Sequence, residues 1–157
     1  MSTAGRIDAQ LTSLGLTLPS AAAPAANYVP FVRTGSLLFV AGQLPMKDGA
    51  VACLGQVGGG VSPEDAYEAA KLCGLNLIAQ AKAALDGDLD RVRRVVKLTG
   101  FVACAASFSD QPKIINGASD LMVAVFGEAG RHARAAVGSS ALPRGAAVEV
   151  DAIFEVD

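Results

Sequence analysis

The chain has 157 residues and a mass of 15.9 kDa, the size of one folded domain with a single core. Its formal net charge of -2 gives no general attraction for RNA or DNA, so the composition disfavours nucleic-acid binding. No apolar stretch approaches the roughly 18 residues of a membrane helix, and the first residues lack the pattern of a secretion signal, so we expect a cytoplasmic protein without membrane contact.

Apolar residues dominate the composition. They make up 52% of the chain, the mean hydropathy is +0.40, and only 18% of the residues are charged. A small monomer rarely buries so much apolar surface within itself, so we expect self-association. Cys53, Cys73 and Cys104 are odd in number and widely spaced, which is typical of buried thiols in a reducing compartment. The single histidine, His132, provides no histidine pair for a metal or for ribonuclease chemistry, so we predict no metal site and no cofactor.

The N-terminal segment predicts a short helix and a linker. Apolar residues recur at helical spacing in residues 6–14, before a glycine and a proline interrupt the pattern. Residues 20–26, "SAAAPAA", have the low-complexity composition of a linker. We therefore divide the chain into an N-terminal helix with linker, residues 1–24, and a main domain, residues 25–157.

The first half of the main domain predicts a hairpin followed by a long helix. Residues 28–33 and 37–41 are rich in strand-forming side chains and flank a Thr-Gly turn. Ser62 and Pro63 are a helix cap and a favoured first helical residue, and small apolar residues then recur every three or four positions. We expect this helix to end at residues 86–88.

The second half predicts a strand, a helix and a closing hairpin. Residues 94–105 alternate in the manner of a strand, and Asp110 and Pro112 open a helix that ends near Gly127 or Gly130. The order strand, strand, helix, strand, helix, strand, strand predicts an α+β sandwich with one mixed β-sheet and two helices on one face. We expect the other face to be buried against neighbouring copies of the chain.

Two opposite charges interrupt the apolar closing segment. Alternation along the last strand turns Glu149 away from the helices, and a symmetric hairpin around residues 138–144 would put Arg134 directly opposite it. The two groups would then share one pocket, and Arg134 would lower the pKa of Glu149. A plain cross-strand ion pair, which contributes about 0.2–1 kcal/mol, and a functional pair both remain open at this point.

Four segments carry a resemblance to a known family: "ANYVPFVRTGSLLFVAGQLP", "KLTGFVACAASFSD", "IINGASDLM" and "ARAAVGSSALPRGAAVEVDAI". They resemble successive blocks of the Rid/YjgF family, small trimeric imine/enamine deaminases formerly described as endoribonuclease L-PSP. The resemblance runs from about residue 25 to the C-terminus. It implies a chorismate-mutase-like fold and a homotrimer whose ligand clefts lie between subunits.

The resemblance also implies roles for individual residues. Arg134 would hold the carboxylate of a small carboxylic or imino-acid ligand, and Glu149 would position water. Further substrate-binding positions are Tyr28, Gly42, Asn116 and Ala136. A planar guanidinium can hold a 2-imino acid by two hydrogen bonds to its carboxylate. Because an iminium carbon is already electrophilic, its hydrolysis to a 2-keto acid and ammonia would require no metal or organic cofactor.

Three positions depart from the family pattern. The family often has a proline where this chain has His132, a cysteine in place of Ala136, and a small polar residue in place of Ala41. Three functions therefore remain as hypotheses: an imine deaminase, a metabolite-binding trimer without catalysis, and an endoribonuclease. The negative net charge and the single histidine argue against the endoribonuclease.

Overall fold

The computed structural model describes residues 4–24 and 26–157. In chain order these residues form helix α1 (Arg6–Ser13), strands β1 (Phe31–Thr34) and β2 (Leu37–Gln43), the short strands β3 (Met46–Lys47), β4 (Ala50–Val51), β5 (Gln56–Val57) and β6 (Gly60–Val61), helix α2 (Pro63–Ala84), strand β7 (Val92–Ala103), helix α3 (Gln111–Phe126), and strands β8 (Ala133–Ser139) and β9 (Val148–Val156). The helices and long strands follow the predicted order, whereas the two-residue strands β3 to β6 were not predicted.

The main sheet has the strand order β1-β2-β9-β7-β8. Strands β1 and β2 form the predicted hairpin, with Thr34 paired to Leu37 across the turn. Strand β9 lies between β2 and β7 and is antiparallel to both, whereas β8 is parallel to β7 and occupies an edge. The prediction of one mixed sheet is therefore confirmed.

The predicted closing hairpin is wrong, because β7 separates β8 from β9. The sequence β7, α3, β8 is a strand–helix–strand unit, and such a crossover returns the chain parallel to the strand it left. Arg134 is consequently level with Leu98 of β7, while Glu149 pairs with Phe101 on the other side of that strand. Arg134 and Glu149 are not cross-strand neighbours.

Helices α2 and α3 pack together and cover one face of the sheet. Helix α2 begins as predicted, since the Ser62 side chain accepts a hydrogen bond of 3.1 Å from the Asp65 backbone N–H. The two helices approach so closely that a Cβ at Gly117 would overlap the carbonyl oxygen of Tyr67. Within the described ranges, no helix is both long and apolar enough to cross a membrane.

The opposite sheet face is open in one protomer. Val32, Phe39 and Val137 are 52%, 41% and 44% exposed, whereas Leu38, which points to the helices, is fully buried. An antiparallel sheet can leave one face to solvent, but such a face is usually polar. Burial of this apolar face by other copies of the chain remains a prediction.

The N-terminal segment is attached to the main domain through both apolar and polar contacts. Ile7 and Leu11 of α1 are buried in the same core as the sheet. The backbone N–H groups of Arg6 and Ile7 donate to the Asp90 carboxylate, at 2.9 and 2.8 Å, and the buried Gln80 side chain donates to the Ala22 carbonyl at 2.8 Å. The predicted division after residue 24 remains a prediction; residues 1–3 and 25 lie outside the described residues.

Candidate functional site

Glu149 lies in a small cavity at the junction of several segments. Strand alternation turns its side chain to the open face of the sheet, as predicted, because it pairs with Phe101 while the flanking residues of β9 are fully buried against the helices. The cavity has a volume of about 240 Å³. Among its lining residues are Tyr28, Gly42, Met46, Arg144 and Glu149, together with Ala22–Pro24 of the linker. The structure thus brings together three of the sequence-predicted residues, Tyr28, Gly42 and Glu149.

Gly42 lies directly against the Glu149 carboxylate. A Cβ at position 42 would overlap Oε1 of Glu149, so only a glycine leaves the carboxylate its present position. Tyr28 precedes β1 rather than belonging to it, and it is half exposed at 50%. Its ring therefore lines the cavity from a loop.

The pKa of Glu149 is raised above its ordinary value. Burial is the main cause, and the negative charge of Asp151, two residues along the same strand, adds to it. The expectation that Arg134 lowers this pKa is wrong for a single protomer, because the two residues line different cavities. A raised pKa makes Glu149 a stronger base for taking a proton from water.

The raised pKa predicts how stability changes in Glu149→Gln. Glu149 has a higher pKa in the folded protein than in the unfolded chain, so the unfolded chain loses this proton more readily. Ionisation of Glu149 therefore destabilises the folded state. This effect begins near the ordinary pKa of 4.5 and is complete once the pH exceeds the raised pKa of the folded state. We expect the glutamine variant to melt at a higher temperature than the native protein at pH 7. The difference should vanish below pH 4.5 in thermal unfolding measured across this range. A less stable variant at pH 7 would instead indicate that a cation neutralises Glu149 in the assembled protein.

Arg134 lines a second cavity, of about 280 Å³, beside helix α3. Its Nη1 donates hydrogen bonds to Asn116 Oδ1 at 2.7 Å and to Ser119 Oγ at 3.2 Å. These two acceptors lie one helical turn apart on α3, which brings them to the same side of the helix. In the described part of the chain, Nε and Nη2 make no hydrogen bond and Arg134 forms no salt bridge.

The two charged residues occupy separate sites in one protomer. Arg134 shares the helix-facing side of the sheet with its register partner Leu98, whereas Glu149 lies on the open side. The predicted pocket containing both residues is therefore not formed within one hairpin. Asn116 contacts Arg134, whereas Ala136 does not line either cavity.

Sequence reasoning missed three side chains at these cavities. Arg144 lines the Glu149 cavity from the loop before β9, where it adopts the left-handed conformation with φ 58°. Ser119 contacts Arg134, and its spacing of three residues from Asn116 was a signal that could have identified it. His132, for which the sequence predicted no catalytic role, contacts Ser119 with a nitrogen–oxygen distance of 2.8 Å.

Other parts of the described chain contain fewer side chains that could bind a ligand or take part in a reaction. A larger cavity of about 630 Å³ lies between the linker and α2, but its lining is largely apolar and contains no residue singled out by the sequence. It meets the Glu149 cavity at Ala22 and Met46. Among the residues with described positions, no group of three or more His, Cys, Asp or Glu side chains is arranged to hold a metal ion.

Comparison with known sequences matches residues 8–155 to the family described as "YjgF/chorismate_mutase-like, putative endoribonuclease". The chain belongs to the Rid/YjgF family. This Rid/YjgF chain is 53% identical over 154 residues to Protein TCP17 of Trypanosoma cruzi, which covers 98% of the chain and 96% of that protein. The family membership implied by the sequence resemblance is therefore confirmed.

Solved structures confirm the fold of this Rid/YjgF chain. The protein Atu1372 of Agrobacterium tumefaciens, described as of unknown function, superimposes with a TM-score of 0.91 at 55% identity, covering 96% of the chain and 92% of that structure. A structure from Shewanella oneidensis, described as a "putative endoribonuclease", gives a TM-score of 0.93 at 36% identity, with 97% and 100% covered. The α+β, chorismate-mutase-like architecture is thus shared with both.

Proposed function

We propose that this protein hydrolyses small, reactive 2-imino acids to 2-keto acids and ammonia. The proposal rests on the hydrogen bonds of the Arg134 guanidinium. Its guanidinium is fixed through Nη1 by Asn116 and Ser119, while Nε and Nη2 have no partner among the described residues. These two groups form the planar fork that binds a carboxylate by two parallel hydrogen bonds.

Glu149 supplies the second half of the proposed chemistry. Its half-buried carboxylate has a raised pKa, and it lies beside Gly42 in a cavity suited to a small molecule. A water held by this carboxylate would add to the imine carbon, forming the C–O bond. Glu149 would take one proton from the water and pass it to the nitrogen, which gives a carbinolamine. It would then pass the carbinolamine hydroxyl proton to the same nitrogen, so that the C–N bond breaks, the keto C=O forms and ammonia leaves. The net reaction consumes one water and leaves the oxidation state of the carbon unchanged.

A shared site requires more than one copy of the chain, because Arg134 and Glu149 line different cavities in one protomer. We therefore propose a homotrimer, as the resemblance implies, in which the ligand lies between Arg134 of one subunit and Glu149 of another, so that the two side chains form no direct ion pair. Two features support this assembly. Strand β8, which carries Arg134, is an unpaired edge of the sheet, and the open face exposes large apolar side chains.

The test is ammonia release from freshly generated 2-iminobutyrate and other short 2-imino acids. We expect the native protein to accelerate release over the uncatalysed rate and Glu149→Gln to lose most of that acceleration. Light scattering should give the mass of a trimer for both proteins. Unaccelerated release by a correctly assembled native protein that still binds 2-keto acids would support the metabolite-binding alternative and rule out hydrolysis of these imines.

The comparisons also raise RNA cleavage, since the family description includes endoribonuclease. The composition argues against this function for the present chain. The net charge of -2 provides no general attraction for RNA, and the single histidine cannot act as one of a catalytic pair. Incubation of the native protein with labelled RNA at low salt, where nonspecific binding is strongest, is the corresponding check.

A further inference from the structure

A directed chain of hydrogen bonds connects His132 to Arg134. Nδ1 of His132 lies 2.7 Å from the carbonyl oxygen of Gly130, which can only accept, so Nδ1 carries a proton. Burial is the main cause that lowers the pKa of His132; the hydrogen bond to Gly130 raises this pKa by less, and the positive charge of Arg134 lowers it slightly further. The imidazole is therefore neutral at pH 7, and its Nε2 is a hydrogen-bond acceptor.

The neutral imidazole determines which way the Ser119 hydroxyl points. Nε2 lies 2.8 Å from Ser119 Oγ, so the hydroxyl donates its proton to His132. The oxygen of Ser119 then offers a lone pair to Nη1 of Arg134, at 3.2 Å. Every link in the series from Arg134 through Ser119 and His132 to Gly130 has one donor and one acceptor.

We infer that His132 is a positioning residue for Arg134, acting through Ser119 to orient the guanidinium so that Nε and Nη2 face a ligand carboxylate. The inference rests on the proposed role of Arg134 in binding that carboxylate. Asn116 fixes one hydrogen of Nη1 and Ser119 the other, which holds the plane of the guanidinium. Without the proton acceptor at His132, the Ser119 hydroxyl is free to rotate and point its hydrogen towards Arg134.

The surrounding charges leave this series undisturbed. Asp120 and Arg131 line the same cavity, but Asp120 accepts a hydrogen bond of 2.7 Å from the Tyr67 hydroxyl, and Arg131 pairs with Glu128 at 3.1 Å. His132 stands where the resembling family often has a proline, which has no side-chain donor or acceptor. A proline at this position could not form this series of hydrogen bonds.

The test is a double-mutant cycle with His132→Phe, Ser119→Ala and the combined variant. We expect each single variant to raise KM for 2-iminobutyrate, and Kd for 2-oxobutyrate measured by calorimetry, by about tenfold, the effect of one hydrogen bond to a charged group. The kcat should stay within about a factor of two. Because both residues act in one series, the double variant should bind no more weakly than either single variant.

Ser13→Ala is the matched control, since this helical serine donates to the Gln10 carbonyl and lines neither cavity. It should leave KM, kcat and Kd unchanged. Circular dichroism and light scattering establish that each variant is folded and assembled. Should His132→Phe fail to fold, Ser119→Ala still tests the inference, because its loss of affinity must match the stated value.

Three results would overturn the inference. The first is native KM and Kd in the variants, the second is effects of the two substitutions that multiply as those of independent packing defects do, and the third is a lower kcat with KM unchanged. In each case a native protein that turns over imines leaves the proposed function intact. A native protein that neither binds 2-oxobutyrate nor hydrolyses the imine would remove the proposed function and this inference with it.

Discussion

Replacing Arg134 by alanine is expected to reduce kcat/KM for a 2-imino acid by about a hundredfold or more, because loss of a desolvated charge pair costs about 3 kcal/mol. The Arg134 guanidinium would contribute both its charge and its planar fork to the ligand carboxylate. Lysine retains the charge without the fork, so Arg134→Lys should have an intermediate effect. Ammonia release and calorimetric binding of 2-oxobutyrate measure the two quantities.

Arg33→Ala is a suitable control for the same truncation. Arg33 is exposed on β1, where its Nε donates to the Gly35 carbonyl at 3.2 Å, and it lines neither cavity. This variant should have native kinetics. Full binding and turnover in a folded, assembled Arg134→Ala protein would contradict the assignment of the carboxylate to Arg134.

Gly42→Ala is expected to reduce kcat by about tenfold to a hundredfold, because a displacement near 1 Å of a catalytic group can have that effect. The added methyl would overlap Oε1 of Glu149 and lie 3.1 Å from its Cδ, so the carboxylate must move. The backbone of Gly42 is not in the left-handed region, and alanine can therefore adopt it. Ammonia release at saturating 2-iminobutyrate measures the loss.

Gly59→Ala adds the same methyl group where there is room for it. The nearest atom to a Cβ at position 59 is 3.4 Å away, an ordinary van der Waals contact, and its backbone also lies outside the left-handed region. We expect Gly59→Ala to be fully active and Gly42→Ala to unfold at a similar temperature to it. Native kcat in Gly42→Ala would mean that the position of the Glu149 carboxylate is unimportant for the reaction.

Local sequence signals were sufficient to predict the helices and the long strands of the fold, but not the two-residue strands β3 to β6. The cap at Ser62, the spacing of small residues in α2 and the alternation along β9 each report on a few neighbouring residues, and each prediction was confirmed. Alternation also gave the correct face for Glu149. These features follow from backbone geometry within one helix or strand.

Strand pairing could not be predicted in the same way, because it depends on contacts between distant segments. The symmetry argument treated β8 and β9 as neighbours, although the helix before β8 makes it a parallel partner of β7. A β-bulge near Val95 likewise shifts the register between β7 and β9, and the alternation of residues 94–105 gave no sign of this shift.

In the candidate site too, single residues could be predicted from the sequence, whereas their contacts with distant segments could not. The resemblance identified Arg134 and Glu149 by sequence, but their partners come from other segments. Ser119 reaches Arg134 from α3, and Arg144 joins Glu149 from the loop before β9. No periodicity in β8 or β9 could have indicated these contacts.

The central position of β9 affects how the chain can fold during synthesis. It follows every other strand in sequence, yet the hairpin β1-β2 and the unit β7-α3-β8 meet in the sheet only through it. A ribosome-bound chain that lacks β9 therefore has two sheet fragments with unpaired edges, which are prone to associate with other chains. Because Glu149 is itself on β9, a chain cannot contribute this residue to the proposed catalytic centre before its sheet is complete.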